Sequence, residues 1–192
     1  MIESKNELRQ KCRALRDSFG EEFIENTSRC ACELLAKSEC FQNADVILLY
    51  FPIKNELSPL PIIDTAIKMG KKIAFPICNT QSNTLTFRVI NSIDELIPSH
   101  FGILEPLLSN ESPILTERTL AIVPAIAYSK EGHRLGYGKG YYDRFLRDFE
   151  VTSIGFSYSA LVLDSLPLEA HDIPLKMIIT ESEVLYFAKK NR

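Results

Sequence analysis

The stretch Glu131-Gly-His-Arg-Leu-Gly-Tyr-Gly-Lys-Gly-Tyr-Tyr-Asp143-Arg-Phe-Leu gathers more chemistry than any other part of the chain. Four of the eight glycines fall between residues 132 and 140. Gly136, Gly138 and Gly140 alternate, which suits a loop whose amides all turn toward one bound group, since glycine accepts φ > 0 and leaves no Cβ between backbone and ligand. A buried strand precedes the loop and a helical pattern from about Gly140 to Phe149 follows it. The N–H groups and the dipole of that helix start favour an anion. Arg134 and Lys139 add positive charge suited to a polyphosphate. Asp143, in the first helical turn, offers the hard oxygen donors of a Mg²⁺ that travels with a nucleotide; an acid at that place also suits the helix dipole. Two common phosphate motifs are excluded: Lys139 is followed by Gly140 and not by Ser or Thr, and position 141 is Tyr where a dinucleotide fingerprint has its third Gly.

The elements that must position this loop are written in the patterning. Ser4 and Glu7 form a capping box ahead of a helix whose Leu8, Cys12 and Leu15 recur at helical spacing. A second helix from about Glu21 to Lys37 carries Phe23, Cys30, Ala31, Leu34 and Leu35 on one face. Val46 to Phe51 reads as a buried strand, Ser58-Pro59 opens a helix with proline in its first turn, and Gly70 closes it in the C′ role. Strands follow at Lys72 to Pro76, Thr84 to Val89, Thr119 to Pro124, Ser153 to Phe156, Met177 to Thr180 and Val184 to Phe187, with a loop-rich stretch over residues 90–118. Strands alternating with helices predict an α/β fold, a largely parallel sheet covered on both faces, in one domain over 1–192.

Composition narrows the function classes. Apolar residues make up 45% and charged residues 24% of the 192, which excludes a disordered chain, a coiled coil and a collagen-like repeat. With 22 Lys and Arg against 25 Asp and Glu the net charge is -3, so a sequence-independent grip on nucleic acid is not expected. No apolar run approaches the roughly 18 residues of a membrane span. Met1 to Arg16 has no hydrophobic signal core, and a cytoplasmic protein is expected. The five cysteines, at 12, 30, 32, 40 and 78, are expected as reduced, mostly buried thiols. Three histidines without ligand spacing give no sign of a structural zinc site.

The segment Arg134 to Leu146 strongly resembles the signature of the 5-formyltetrahydrofolate cyclo-ligase family, also called methenyltetrahydrofolate synthetases. Four further matches occur in the family's order. Lys5-Asn-Glu-Leu-Arg9 resembles its N-terminal K-x-x-x-R element, and Tyr50-Phe51 with Asn55-Glu56 resembles the strand end and acid of its folate pocket. Phe101-Gly-Ile-Leu-Glu-Pro106 resembles the G-x-x-E-P segment, and His171-Asp172-Ile-Pro-Leu175 followed by Thr180-Glu181 resembles the late H-D-x-P-L and T-E elements. The resemblance runs from about residue 5 to 187. Lys176 departs from it, standing where many relatives place an acid.

The resemblance implies a three-layer α/β sandwich, similar to the sugar-phosphate isomerase/CoA transferase-like fold, and an ATP-dependent ring closure of 5-formyltetrahydrofolate to 5,10-methenyltetrahydrofolate, with ADP and phosphate released. Carried over residue by residue, Lys5 and Arg9 reach the ATP phosphates. Arg134, Leu135, Gly136, Tyr137, Gly138, Lys139, Gly140, Tyr141, Tyr142 and Asp143 form the ATP loop, in which Lys139, Arg134 and Tyr142 are the catalytic candidates. Phe51 and Glu56 contact the pterin, beside Gly138, Lys139, Gly140, Tyr141 and Tyr142; Asp143 and Asp172 hold Mg²⁺. His133 and His171 read as structural or exposed. The expected partners are the two small-molecule substrates, with no nucleic acid and no membrane, and a monomer is expected. Two alternatives stay open at this point. A non-catalytic folate- or nucleotide-binding regulator would tolerate loss of Lys139, Asp143 or Asp172, all of which are present. A sugar-phosphate isomerase would require an acid–base pair and no nucleotide loop.

Overall fold

Ser4 caps helix α1 (Lys5–Asp17) as predicted: its Oγ accepts from the Glu7 N–H, and the Glu7 carboxylate accepts from the Ser4 N–H in return. The computed structural model describes residues 3–99, 102–169 and 172–187. After α1 come α2 (Glu21–Lys37), α3 (Glu39–Asn43), β1 (Val46–Leu48), a 3₁₀ turn (Leu60–Ile62) running into α4 (Ile63–Lys68), β2 (Lys72–Asn79), β3 (Thr84–Ile90), β4 (Ile97–Pro98), β5 (Leu104–Glu105) and β6 (Thr119–Val123). The hairpin β7 (Ala127–Ser129) and β8 (Arg134–Leu135) leads to α5 (Tyr141–Asp148), then β9 (Thr152–Phe156), β10 (Val162–Leu163), β11 (Met177–Ile179) and β12 (Val184–Tyr186).

Seven strands form the central sheet in the order β12-β11-β9-β6-β1-β2-β3. The five inner strands run parallel, with Ile47 level with Ile73 and Leu120, and Ile122 level with Ile154; β12 and β3 close the two edges antiparallel. Side chains alternate between faces with period two. Ile47, Ile73, Leu120, Ile122 and Ile154 join the core that also takes Cys12, Ala31, Leu35, Phe41 and Ala66 from α1 to α4. Val46, Leu48, Ala74, Ala121 and Ile178 face the other way, onto Phe145 of α5 and Tyr128. The mixed sheet between two layers is the α/β architecture expected.

Several local expectations are corrected. In α1 the inward face is Leu8, Cys12 and Arg16; Leu15 is 41% exposed while Arg16 is 1% exposed, because Arg16 finds a buried partner described below. In α2 Cys30 is exposed and Phe23 is 46% exposed, lying against Phe19 and Tyr158, while Thr27, Ser28, Ala31, Cys32 and Leu35 turn inward. The small Ser28 lets the chain approach, and its Oγ accepts from the Ser58 N–H. Of the five cysteines, all free, only Cys12 and Cys32 are buried. The helix expected at Ser58-Pro59 begins as the 3₁₀ turn at Leu60, with Pro61 where a missing N–H costs nothing. Strand β2 runs through Pro76 to Asn79, because beyond Ala74 it pairs only with β3 and one side has no ladder to break. Gly70 ends α4 at φ 72° as predicted.

The connections place the site. From β1 the chain crosses through α4 to β2 on one side, and from β6 it crosses through the hairpin, the glycine-rich loop and α5 to β9 on the other. The adjoining C-terminal ends of β1 and β6 are therefore the point of reversal, where open α/β sheets bind ligands. Among the described residues no helix is long and apolar enough to cross a membrane.

Candidate active site

Short strand β8 delivers Arg134 to the crevice. Its Nη1 donates to the Ile173 carbonyl at 2.8 Å and its Nη2 to Asp143 Oδ1 at 2.5 Å. Asp143 Oδ1 also accepts from the Ile173 N–H at 3.5 Å, so the loop carrying Asp172 lies against the first turn of α5. Helix α1 reaches the same place from a distant part of the sequence. Lys5 Nζ lies 2.8 Å from Asp172 Oδ2 and 3.3 Å from Glu169 Oε1, and Arg9 Nε donates to the Gly136 carbonyl at 2.9 Å. The predicted candidates Lys5, Arg9, Arg134, Asp143 and Asp172 thus converge on one rim.

The loop between them needs its glycines. Gly138 has φ 97° and Gly140, the N-cap of α5, has φ 69°, backbone that side chains with a Cβ disfavour. Lys139 between them is exposed, with no side-chain hydrogen bond or ion pair among the described residues. Arg144 Nη1 donates to the Lys139 carbonyl at 2.7 Å and to the Asn83 carbonyl at 3.3 Å, fixing the backbone beneath that lysine. Leu135 is buried and its carbonyl accepts from the Ile126 N–H, so it anchors the loop rather than lining it.

The second part of the site is built differently. Ile53–Glu56 is a turn closed by the Glu56 N–H donating to the Ile53 carbonyl at 3.0 Å, with Lys54 and Asn55 at φ 48° and 58°. Two adjacent non-glycine residues in the left-handed region are strained, and such strain concentrates at functional sites. The turn carries Glu56 inward, 5% exposed. Its Oε2 accepts from the Ile53 N–H at 3.0 Å and its Oε1 from the Tyr137 hydroxyl at 2.6 Å, with Arg16 Nη1 3.8 Å away. Burial pushes the Glu56 carboxyl above the usual carboxylate range, opposed by the Tyr137 hydroxyl, the Ile53 amide and the Arg16 charge. Tyr158 donates to the Asn55 carbonyl at 3.0 Å and Tyr50 to that of Leu57, bracing the turn from both sides. Phe51, half-buried, packs on the core beside it.

Of the three loop tyrosines, Tyr137 turns inward to Glu56, with its ring under the Arg13 guanidinium at 5.4 Å. Tyr142 leans on the core of the α5 side, burial holds its hydroxyl well above its ordinary pKa, and that hydroxyl has no hydrogen-bond partner among the described residues. Tyr141 is half-buried near Cys78 and Glu105.

Among the described residues no three His, Cys, Asp or Glu side chains gather as a protein metal cage. A nucleotide-borne Mg²⁺ does not need one, since it keeps waters and phosphate oxygens and takes one or two carboxylates from the protein. Asp143 and Asp172 are such a pair of hard oxygen donors, now facing Arg134 and Lys5, and their chemistry fits that ion. His171 and Phe101 lie outside the described residues. Lys176 Nζ lies 3.2 Å from Thr152 Oγ1, and Glu181 accepts from the Ser159 N–H at 2.9 Å.

Sequence reasoning missed Arg16 and the inward course of Tyr137. The spacing of Lys5, Arg9 and Arg16 carried a signal, for steps of four and seven residues return to one helix face. Nothing local pairs Tyr137 with Glu56, 81 residues earlier.

Comparison with known proteins bears on the whole arrangement. A profile of the 5-formyltetrahydrofolate cyclo-ligase family matches residues 1–181. The 5-formyltetrahydrofolate cyclo-ligase of Escherichia coli (strain K12) is 29% identical over 146 residues, covering 73% of this chain and 80% of its own. That of Haemophilus influenzae is 31% identical over 140 residues, covering 70% and 74%. The solved structure of Aquifex aeolicus 5,10-methenyltetrahydrofolate synthetase superposes with a TM-score of 0.83 at 32% identity, covering 98% of this chain and 94% of that one.

Proposed function

The chain belongs to the 5-formyltetrahydrofolate cyclo-ligase family and is an enzyme of it, and from that premise we propose that it converts 5-formyltetrahydrofolate and ATP to 5,10-methenyltetrahydrofolate, ADP and phosphate. The formyl oxygen attacks the γ-phosphorus, an O–P bond forms, and the bond to the ADP oxygen breaks. N10 then attacks the activated carbon, its proton leaves, and the C–O bond breaks with release of phosphate. A formyl amide is a poor electrophile, and phosphorylation turns its oxygen into a good leaving group. Such a transfer depends on positioning and charge neutralisation rather than on a protein nucleophile.

The observation that carries this reading is the convergence of Lys5 and Arg9 from α1 with Arg134, Lys139 and Asp143 around a loop whose glycines hold positive φ. In it Lys139, exposed and uncommitted, meets the transferring phosphate; Arg134 fixes Asp143; and Lys5 and Arg9 bind the other phosphates. Asp143 and Asp172 would hold Mg²⁺, which when bound neutralises phosphate charge. Glu56 accepts from the pterin N3–H and 2-amino group, Phe51 supplies an apolar wall, and Tyr142 sits between the two substrates.

Oxygen-isotope transfer tests the phosphorylated intermediate. With isotope-labelled formyl oxygen, the label is expected in the released phosphate, one atom per methenyl group formed. Label appearing only in water would overturn the phosphorylation step.

A further inference from the structure

The crevice holds a buried cation that the reaction described above does not use. Arg16 is 1% exposed; its Nη2 donates to the Tyr137 hydroxyl at 2.8 Å, and its Nη1 to the Ala125 carbonyl at 3.4 Å. Its Nε, also buried, has no hydrogen-bond partner among the described residues. A buried arginine with an orphan N–H is costly, and an apolar side chain would fill that place on α1 at lower cost. What it gains is Glu56. The Tyr137 hydroxyl relays the guanidinium to Glu56 Oε1, and a cavity of about 10 Å³, room for one water, adjoins Arg16, Glu56, Tyr50 and Tyr158.

Tyr137 also belongs to the glycine-rich loop. The same helix face grips that loop at successive turns: Arg9 holds the Gly136 carbonyl, Arg13 covers the Tyr137 ring, and Arg16 holds its hydroxyl. The other titratable groups within electrostatic reach of Glu56 are the hydroxyls of Tyr50, Tyr128, Tyr142 and Tyr158, all raised by burial and neutral near pH 7. Arg16 is the cation that faces it.

We propose that Arg16 and Tyr137 are positioning residues that keep Glu56 ionised and aimed at the pterin, and that Tyr137 ties this carboxylate to the Gly136–Gly140 loop. This rests on the assignment of Glu56 to the folate. Only the ionised carboxylate accepts from both the N3–H and the 2-amino group. Without the arginine, burial is less opposed and the carboxyl shifts further up, so the protonated fraction at a given pH is larger.

The test compares KM for 5-formyltetrahydrofolate and for ATP in Tyr137→Phe, Arg16→Met, Arg16→Lys and Glu56→Gln, with thermal unfolding as a fold check. Tyr137→Phe and Arg16→Met are expected to raise the folate KM about tenfold or more, as loss of hydrogen bonds to a buried charge does, and to leave the ATP KM within about twofold. The penalty in Arg16→Met is expected to shrink as pH rises from about 6 to about 8.5, because deprotonation restores Glu56; Arg16→Lys, which keeps the charge, is expected to show no such slope. A purely structural role would give a pH-independent loss. Folate KM unchanged in folded Tyr137→Phe, ATP KM rising in step with it, or a flat Arg16→Met profile would each overturn the proposal. Should Arg16→Met not fold, Tyr137→Phe and Arg16→Lys still decide. Glu56→Gln separates the two levels: a raised folate KM there with none in the other variants overturns only the positioning role, whereas an unchanged one overturns the assignment of Glu56 itself.

Discussion

The two halves of the crevice solve opposite problems. On the glycine-rich side, part-buried charges pair around a loop, Lys5 with Asp172 from 167 residues away and Arg134 with Asp143 from nine, over backbone that only glycine adopts readily. On the Glu56 side, one carboxylate is buried with its partners, aimed by a turn of two strained residues. The rim pairs keep some contact with solvent, Lys5 and Asp172 at 18% and 13% and Asp143 at 23% side-chain exposure, so ligand phosphates can take the place of one partner. The interior allows no such exchange, because removing one partner strands the other in low dielectric. The comparison teaches that substitutions on the rim should act on turnover and ATP, and substitutions inside on folate and on folding together.

Lys139→Ala should give the largest effect and sharpen the contrast. Loss of the exposed cation facing the transferring phosphate is expected to lower kcat by about a thousandfold or more, with thermal stability within about 0.5 kcal/mol of the parent. Steady-state rates and melting curves read both, and activity within a few-fold of the parent would remove Lys139 from catalysis. Inside, Glu56→Gln is expected to destabilise the fold by about 3 kcal/mol, since Arg16 loses its countercharge. Denaturant unfolding checks this; unchanged stability would show that the interior pair is no more committed than the rim. Lys5→Ala, back on the rim, should raise the ATP KM about tenfold while leaving the folate KM within about twofold. The smallest effect is expected for Lys54→Gly, which relieves the positive φ and should stabilise the protein by up to about 1 kcal/mol. A loss of stability there would mean that the Lys54 side chain makes contacts that outweigh its backbone strain.

How far the sequence disclosed this depends on how local each determinant is. The capping box at Ser4 and Glu7, the alternating glycines and the acid of the first turn of α5 are local, and each stands where its pattern placed it. The inner strands of the central sheet were legible because most are short, largely apolar runs between turn residues. Hairpin β7–β8 was not, since strands of three and two residues are too short to show a period. Arg16 was hidden for another reason. By polarity an arginine belongs on the outer face of a helix such as α1, and only the folded chain brings Tyr137 and Glu56 to Arg16 from residues 121 and 40 positions away. The same applies to the strain at Lys54, which belongs to where Glu56 must point; Asn55 beside it tolerates the left-handed region better than most residues.

The most direct test of the central claim is the near-ultraviolet absorbance of the purified protein with 5-formyltetrahydrofolate and Mg²⁺, recorded with and without ATP. The account predicts that the methenyl chromophore appears only when ATP is present, with phosphate released in equal amount. Ring closure at the same rate without ATP, or none with ATP while both substrates still bind, would contradict it.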